Sequence, residues 1–261
     1  MKTFTRRLAL LCVCALGATL AHAAITATAE VASDAKAIEA YRKGDLDTAR
    51  TEWIAILDDA EHAPRGAERG RILYDLGNVA FREGKALEAV GWYSAAVRLR
   101  PRDANTWTNL EQARSAAKLE PADRGDLSAT LQRIVRAFTP SEARWLALAG
   151  VGLLALGLVF EALRGGRLGR IAAFAGVLAA IVLGIPCLDQ HTRSNADPLI
   201  AIEADKAIVR SEPREKAAVV GEVPAGDEIE RRDQLPEWTK IRLEGGIEGW
   251  TRKTSVFSLR R

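Results

Sequence analysis

Few side chains in this sequence are of the types that carry acid–base, nucleophilic or metal-binding chemistry. His62 and His191 stand in separate loop segments, and Cys187 lies inside a long apolar run. The sequence contains no catalytic or metal-binding spacing and no phosphate-binding glycine loop. Neighbouring carboxylates such as Asp58 and Asp59 are explained as the solvated end of a helix. These residue types predict a protein that is not an enzyme, with no catalytic residues, no metal ligands and no cofactor.

The charge balance and the cysteines narrow the classes of partner. The 261-residue chain has 37 Lys and Arg against 34 Asp and Glu, a formal charge of +3 that is spread along its length. A nucleic-acid binder would show a concentrated basic patch, so nucleic acid is not an expected partner. Two of the three cysteines lie in the N-terminal apolar segment, so we expect no disulfide within the mature chain.

The N-terminal segment is typical of a secretory signal peptide. The basic residues Lys2, Arg6 and Arg7 precede an apolar stretch that ends in the small-x-small sequence Ala21-His22-Ala23. An uncleaved anchor helix is the alternative, although the apolar stretch is short for a full membrane span. We predict a signal peptide over residues 1–23, which exports the residues that follow.

Two later apolar runs are long enough to cross a bilayer as helices, which takes roughly 20 residues. They cover residues 145–163 and 171–188, and Pro186 is expected to kink or end the second helix. The loop between them, 164–170, is rich in arginine, and short basic loops stay in the cytoplasm. Both flanking regions are therefore predicted to lie outside, in agreement with the signal peptide. A buried helical hairpin of a soluble protein is the alternative.

Residues 30–119 show helical periodicity and an internal repeat. The best unit runs over 73–103 and resembles a tetratricopeptide repeat, a helix-turn-helix of two antiparallel helices. A degenerate unit precedes it, and the helix of a half-repeat follows over 104–118. The residues that match the pattern are Leu76, Gly77, Gly84, Ala89, Tyr93, Ala96 and Pro101. The small ones would let the two helices approach closely, and Pro101 would end the second helix.

The resemblance to tetratricopeptide repeats implies a concave face that binds a peptide or a helix. The candidate contacts are polar residues on the first helix of each unit, namely Asp75, Asn78, Arg82 and Asn109. In peptide-binding members of the family, asparagines at such positions contact the ligand backbone, which would be the role of Asn78 and Asn109. The small and aromatic residues of the repeat are interpreted as core.

A connector over 120–144 joins these repeats to the first apolar run. Leu127, Leu131 and Ile134 recur at helical spacing with arginines opposite, so we predict an amphipathic helix that lies on the membrane surface or continues toward the first span. The Thr-Pro-Ser sequence that follows would break this helix, and Ser141 is a candidate cap for the next one.

After residue 197 the periodicity changes to that of short strands separated by Gly, Pro and Asp, which predicts a small all-β barrel over 197–261. The VPAGD step at 223–227, Trp238 followed by KIRL, and Trp250 after a glycine resemble a bacterial SH3-type domain. In some relatives this fold binds wall peptides and in many it mediates protein contact. Trp238 is the candidate ligand contact, whereas Trp250 is expected in the core.

The order of segments predicts a multidomain membrane protein with three parts. These are all-α tetratricopeptide helix-turn-helix repeats, a two-helix transmembrane hairpin and a small all-β SH3-like barrel. The arrangement resembles the BatE-type proteins of the bacterial aerotolerance (Bat) gene clusters. That resemblance implies partners with von Willebrand A domains and a MoxR-type ATPase, in an assembly linked to envelope stress.

We therefore expect a non-catalytic adaptor in the bacterial inner (cytoplasmic) membrane, with both terminal domains in the periplasm and the bilayer lipids as a further partner. The alternative is a membrane anchor or receptor that binds cell-wall peptide through the SH3-like domain.

The predicted topology can be tested with alkaline phosphatase, which becomes active only where its disulfides form, outside the cytoplasm. We expect the enzyme to be active when fused after residue 261 and inactive when inserted in the predicted loop 164–170. An inactive C-terminal fusion in a stably expressed chain would contradict the topology.

Overall fold

The computed structural model describes residues 34–122, 127–164, 166–195, 197–243 and 245–260. The predicted signal peptide over 1–23 lies outside these residues. The chain divides into two units, Met1–Arg65 and Gly66–Arg261.

The described part of the first unit is a pair of helices, α1 over 34–43 and α2 over Leu46–Asp58. The indole N–H of Trp53, which is buried on α2, donates to the Asp34 carboxylate at the start of α1. Asp45 caps α2 by accepting a hydrogen bond from the backbone N–H of Thr48 at 3.1 Å. The segment predicted to be a degenerate repeat is therefore a pair of helices.

Three further helices open the second unit, and we refer to them together as the helix triplet. They are α3 over Gly66–Arg82, α4 over Ala86–Leu99 and α5 over Ala104–Ala116. A Cβ atom at Gly77 would lie 2.5 Å from the ring of Tyr93, so only glycine lets α3 and α4 approach this closely. The predicted small-residue contact between these helices is confirmed, and α4 ends just before Pro101 as expected.

The two apolar runs form α7 over Pro140–Arg164 and α8 over Gly166–Asn195. The segments Ser141–Leu163 and Gly166–Thr192 within them are long and apolar enough to cross a membrane. A Cβ at Gly157 would touch the backbone of Ala172, and one at Gly150 would touch that of Ala180, so the helices run antiparallel in close contact.

The hairpin differs from expectation at two places. Residues 166–170 are already helical, so the polar connection is shorter than the predicted loop 164–170; Gly166, with φ of 72°, starts α8 directly. Helix α8 also continues past the predicted end at residue 188 to Asn195, so of the two effects expected of Pro186, a kink or an end, the helix does not end there. The neighbouring helix α7 packs along α8 and supports it past the proline, as is common in paired apolar helices.

The cap of α7 is Thr139 rather than Ser141. The backbone N–H of Thr139 donates to the Glu142 carboxylate at 2.9 Å, and Pro140 takes the first helical position. This is the reciprocal pattern of a capping box with proline after the cap, which satisfies N–H groups that a helix start leaves free. The preceding helix, α6 over Leu127–Arg136, ends before the Thr-Pro-Ser sequence as expected.

The described residues of the sheet domain, 197–243 and 245–260, form seven strands in one antiparallel sheet of order β3-β2-β6-β5-β4-β1-β7. The strands are β1 Pro198–Ala201, β2 Lys206–Arg210, β3 Val219–Pro224, β4 Glu228–Gln234, β5 Trp238–Arg242, β6 Glu248–Arg252 and β7 Val256–Ser258. The core is apolar and consists mainly of Leu199, Ala201, Ala207, Val209, Val223 and Ile241.

Alternation along β5 and β6 decides which side chains enter that core. Thr239 and Ile241 of β5 are buried. On β6, Gly249 and Thr251 take the inward positions, and Val209 packs where a side chain of Gly249 would be. Trp250 is therefore half-buried on the outer face, contrary to the expectation that it belongs to the core.

An aromatic contact contributes to the packing of the sheet domain on the helix triplet. The rings of Trp92 on α4 and Phe257 on β7 meet edge to face, with their centroids 4.7 Å apart. A Cβ at Gly91 would lie 2.7 Å from Cγ of Phe257, so the ring lies directly on the helix backbone. The triplet and the sheet domain are thus in contact although two long apolar helices separate them in sequence.

We expect the substitution Gly91→Ala to destabilise this contact by about 1–3 kcal/mol, because the added methyl group overpacks the site. The measurement is the thermal unfolding midpoint of the full chain in detergent, with Gly152→Ala as control, since a Cβ there has no neighbour within 4 Å. Adding Phe257→Ala to Gly91→Ala removes the clashing ring, so the double substitution should cost less than the sum of the single ones. Strict additivity would contradict the contact.

Candidate functional site

A cleft of about 350 Å³ lies where α4, α5 and α6 meet the sheet domain, and we call it the helix–sheet cleft. Its apolar lining comes from Val97, Trp107 and Leu110 on the helices and Ile200 on β1. Leu110 and Ile200 are almost fully buried, so this part of the lining belongs to the packing between the helix triplet and the sheet domain. Such an apolar floor can accept an apolar side chain of a ligand.

The rim of the helix–sheet cleft carries charges of both signs. Arg98, Arg114 and Arg133 stand on the helical side, and Asp227 and Glu228 stand on the sheet side. Arg98 pairs with Glu228 at 3.5 Å across the cleft, and the guanidinium of Arg133 lies 6.0 Å from the ring centre of Trp107. The rim therefore offers paired charges and hydrogen-bond donors around an apolar floor.

Local sequence explains how each wall is positioned. Trp107 and Leu110 are three residues apart on α5 and so share one face, and the indole N–H of Trp107 donates to the carbonyl of Pro101 at 2.9 Å. On the sheet side, Gly226 has φ of 82° in the turn between β3 and β4. A Cβ at Gly226 would lie 2.6 Å from Cδ1 of Leu119, so glycine allows this turn to reach the end of the triplet.

The asparagines that the sequence suggested as peptide contacts are engaged with one another. The side-chain oxygen of Asn78 accepts hydrogen bonds from the Tyr93 hydroxyl at 2.8 Å and from the Asn109 amide at 3.0 Å. The Asn109 amide also donates to the Tyr74 hydroxyl at 3.1 Å. These bonds join α3, α4 and α5. The same groups pack the helices together, and their use as ligand contacts stays a prediction.

The other candidates on α3 lie apart from that network. Arg82 is exposed at the end of α3, and Asp75 pairs with Arg71 on the same helix at 3.3 Å. Neither residue lines the helix–sheet cleft.

Trp238, the candidate ligand contact of the sheet domain, is covered by an arginine. Its side chain is 7% exposed, and the guanidinium of Arg252 lies 4.6 Å from the centre of its ring. Hydrogen bonds to Glu215 and then to Glu237 hold Arg252 in place and raise its pKa. A ligand could reach the face of Trp238 only after Arg252 had moved away.

A second ion cluster lies on the outer face of β5 and β6, around Glu248. Its carboxylate accepts from Lys240 at 2.9 Å and pairs with Arg242 at 3.1 Å. These hydrogen bonds, led by the one from Lys240, lower the pKa of Glu248. Trp250 stands directly across from Lys240 on the same face. This face therefore combines a half-exposed aromatic ring with paired charges.

No local pattern in the sequence indicates the helix–sheet cleft, and its lining residues Trp107, Ile200 and Glu228 were not among the predicted contacts. No local pattern could reveal that β1 and β4 would pack near α5, because this proximity comes from the aromatic contact between α4 and β7. Within the described ranges, no group of three or more His, Cys, Asp or Glu side chains could hold a metal ion.

Comparison with known families identifies the class of the C-terminal part. Residues 205–256, from the residue before β2 to the first residue of β7, match the bacterial SH3 domain. The chain thus carries a bacterial SH3 domain beside a helical region and two helices that could span a membrane. No curated protein is significantly similar to the chain.

The ion cluster of Glu248 predicts a pH-dependent contribution to stability. Because the folded pKa lies below the ordinary value of 4.5, the contribution is present above that value and is lost as the pH falls through the folded pKa. We expect Glu248→Gln to lower the thermal unfolding midpoint at neutral pH and to have less effect in acid. The matched control is Glu203→Gln, at an exposed carboxylate in the turn before β2. An effect of Glu248→Gln that does not shrink in acid would contradict the assignment.

Proposed function

We propose that the protein is a non-catalytic inner-membrane adaptor that binds a segment of a partner protein in the helix–sheet cleft. The observation that carries the proposal is the cleft itself, which requires both the helix triplet and the sheet domain. The helix triplet supplies the apolar floor with Trp107 and Leu110, and the sheet domain supplies the acidic rim of Asp227 and Glu228. Neither part alone would supply both. The two modules would then act as one receptor.

The membrane placement is supported by the surfaces of α7 and α8. Large apolar side chains point outward along both helices, among them Trp145 at 72%, Leu163 at 81% and Phe174 at 71% exposure. Exposed apolar surface of this extent is costly in water and favourable in lipid. A buried hairpin of a soluble protein would place these side chains inside.

The hairpin also favours a common side for the helix triplet and the SH3 domain. Near its open end, the side-chain amide of Gln190 donates to the Phe138 carbonyl at 2.8 Å. A chain that crosses the membrane and returns within one tight hairpin has both flanks on one side. Together with the predicted signal peptide, this supports a periplasmic position for both domains.

The charges of the cleft favour a partner segment with acidic residues. Four arginines, Arg98, Arg114, Arg133 and Arg136, line the helical side against two carboxylates on the sheet side. Such a rim attracts an acidic segment, while the floor takes an apolar anchor from it. Following the resemblance to BatE-type proteins, we propose membrane proteins with von Willebrand A domains and a MoxR-type ATPase system as the partners, in an envelope-stress or aerotolerance assembly.

A second candidate function is a peptidoglycan-binding anchor or receptor, which the outer face of the SH3 domain favours. Trp250 and Lys240 stand side by side there, and an aromatic ring beside a hydrogen-bond donor can recognise a wall peptide or sugar. The helix–sheet cleft has no part in that function. The two proposals therefore depend on different surfaces of the same domain.

Crosslinking and affinity purification of the tagged full-length protein from its native membranes tests the adaptor function. We expect membrane proteins with von Willebrand A domains to be recovered. Arg133→Glu should reduce their recovery at least about fivefold, because the reversed charge repels an acidic segment at the rim. Arg214→Glu, an equal charge reversal at an exposed residue of the β2–β3 loop, is the control and should leave recovery unchanged.

Two results would contradict the adaptor function. One is equal recovery of the partner with Arg133→Glu and with the control. The other is recovery of wall fragments without partner proteins, together with retention of the full-length protein on purified wall sacculi that Trp250→Ala abolishes. That second result would establish the wall-binding alternative.

A further inference from the structure

A second cavity, of about 630 Å³, lies near the open end of the α7–α8 hairpin, and we call it the basic cavity. Five arginines and one histidine line it, and no described lining residue is Asp or Glu. They are Arg69, Arg98, Arg136, Arg144, Arg260 and His191. A cavity lined by five arginines favours an anionic ligand with several acceptor oxygens.

The position of the basic cavity relates it to the membrane helices. Its wall includes Phe138 and Thr139, directly before α7, and Cys187 and Gln190 on the last turns of α8. Arg144 is the last charged residue before the apolar run of α7, and Trp145 follows it with 72% of its surface exposed. Tryptophan and arginine at the end of an apolar helix are typical of the headgroup region of a bilayer.

We propose that the basic cavity binds the phosphodiester headgroup of an anionic membrane phospholipid. The proposal rests on the membrane placement of α7 and α8 argued above, not on the partner of the helix–sheet cleft. In that placement the cavity opens at the level where lipid phosphates lie, and clustered arginines bind phosphate oxygens there through charge-assisted hydrogen bonds. Arg144 and Arg260, two of its exposed members, would contact the phosphate directly, while the half-buried Arg69 and Arg98 would form the inner wall.

A phospholipid headgroup also fits the lining of the basic cavity better than a free anion does. The cavity has apolar wall atoms from Leu99, Phe138 and Leu259 next to its arginines. A phospholipid presents a phosphate joined to glycerol and acyl chains, so it can use both kinds of wall. An inorganic phosphate ion would leave the apolar part of the wall unused.

The test uses the full-length chain reconstituted in phosphatidylcholine vesicles that contain a minor fraction of phosphatidylglycerol. After extraction into mild detergent, native mass spectrometry measures which lipid stays bound. The variant is Arg144→Gln with Arg260→Gln, and the matched control is Arg42→Gln with Arg214→Gln, two exposed arginines outside the cavity. We expect the original chain and the control to retain phosphatidylglycerol, and the variant to retain about tenfold less.

Three results would overturn the lipid site. The first is equal retention of phosphatidylglycerol by the variant and the control. The second is that the original chain retains phosphatidylcholine as well as it retains phosphatidylglycerol. The third is displacement of the lipid by inorganic phosphate at the same concentration as the lipid. Resistance of the chain to alkaline carbonate extraction separates this proposal from the membrane placement. A chain that carbonate removes contradicts both, whereas an integrated chain with unselective lipid retention contradicts the lipid site alone.

Discussion

The packing of one aromatic ring on a glycine is the contact on which the arrangement of the second unit depends. Phe257 reaches the backbone of α4 because Gly91 has no side chain, and its ring then meets Trp92 edge to face. The aromatic pair also adds to the burial of apolar surface, whereas an ion pair open to solvent on one side, such as Arg98 with Glu228, contributes less. Once Phe257 is in place, the β3–β4 turn reaches α5, and the helix–sheet cleft follows.

The α7–α8 hairpin makes that contact possible in a chain that leaves the helix triplet and returns much later. Close glycine contacts keep the two apolar helices antiparallel, so the strand after α8 starts near the place where α7 began. The bidentate pair between Arg102 and Glu142, with both distances 3.0 Å, ties the start of α7 to the triplet. Glu142 thereby serves twice, since it also closes the capping box of Thr139.

Local patterns in the sequence predicted most of the helices and strands, but not the contacts between the helix triplet and the sheet domain. The repeat pattern predicted a close approach of two helices at small residues such as Gly77, and the change of periodicity after residue 197 predicted short strands. On β6, a tryptophan that follows a glycine suggested that its ring points into the core. In the fold, Val209 packs where a side chain of Gly249 would be, and Trp250 points outward. Packing across neighbouring strands therefore decides which side chain of β6 points into the core.

The predicted peptide contacts show the same limit more sharply. Asn78 and Asn109 stand on the expected faces, yet their amides are used between helices, because each finds a tyrosine and the other asparagine within reach. The type and spacing of a polar residue indicate that it needs partners, not which partners it will have. The helix–sheet cleft depends on residues that are far apart in sequence, so no window of the sequence contains its pattern.

The two cavities share a wall, and this has a consequence for how they would work together. Arg98 and Arg136 line both the helix–sheet cleft and the basic cavity, and Arg98 pairs with Glu228 on the sheet side. An anionic headgroup in the basic cavity would compete for the charge of these arginines and lower the positive potential that the cleft offers to an acidic segment. By linkage, the partner segment would weaken headgroup binding to the same extent. Occupancy of the two cavities would thus be anticorrelated through two named side chains, without any change of fold.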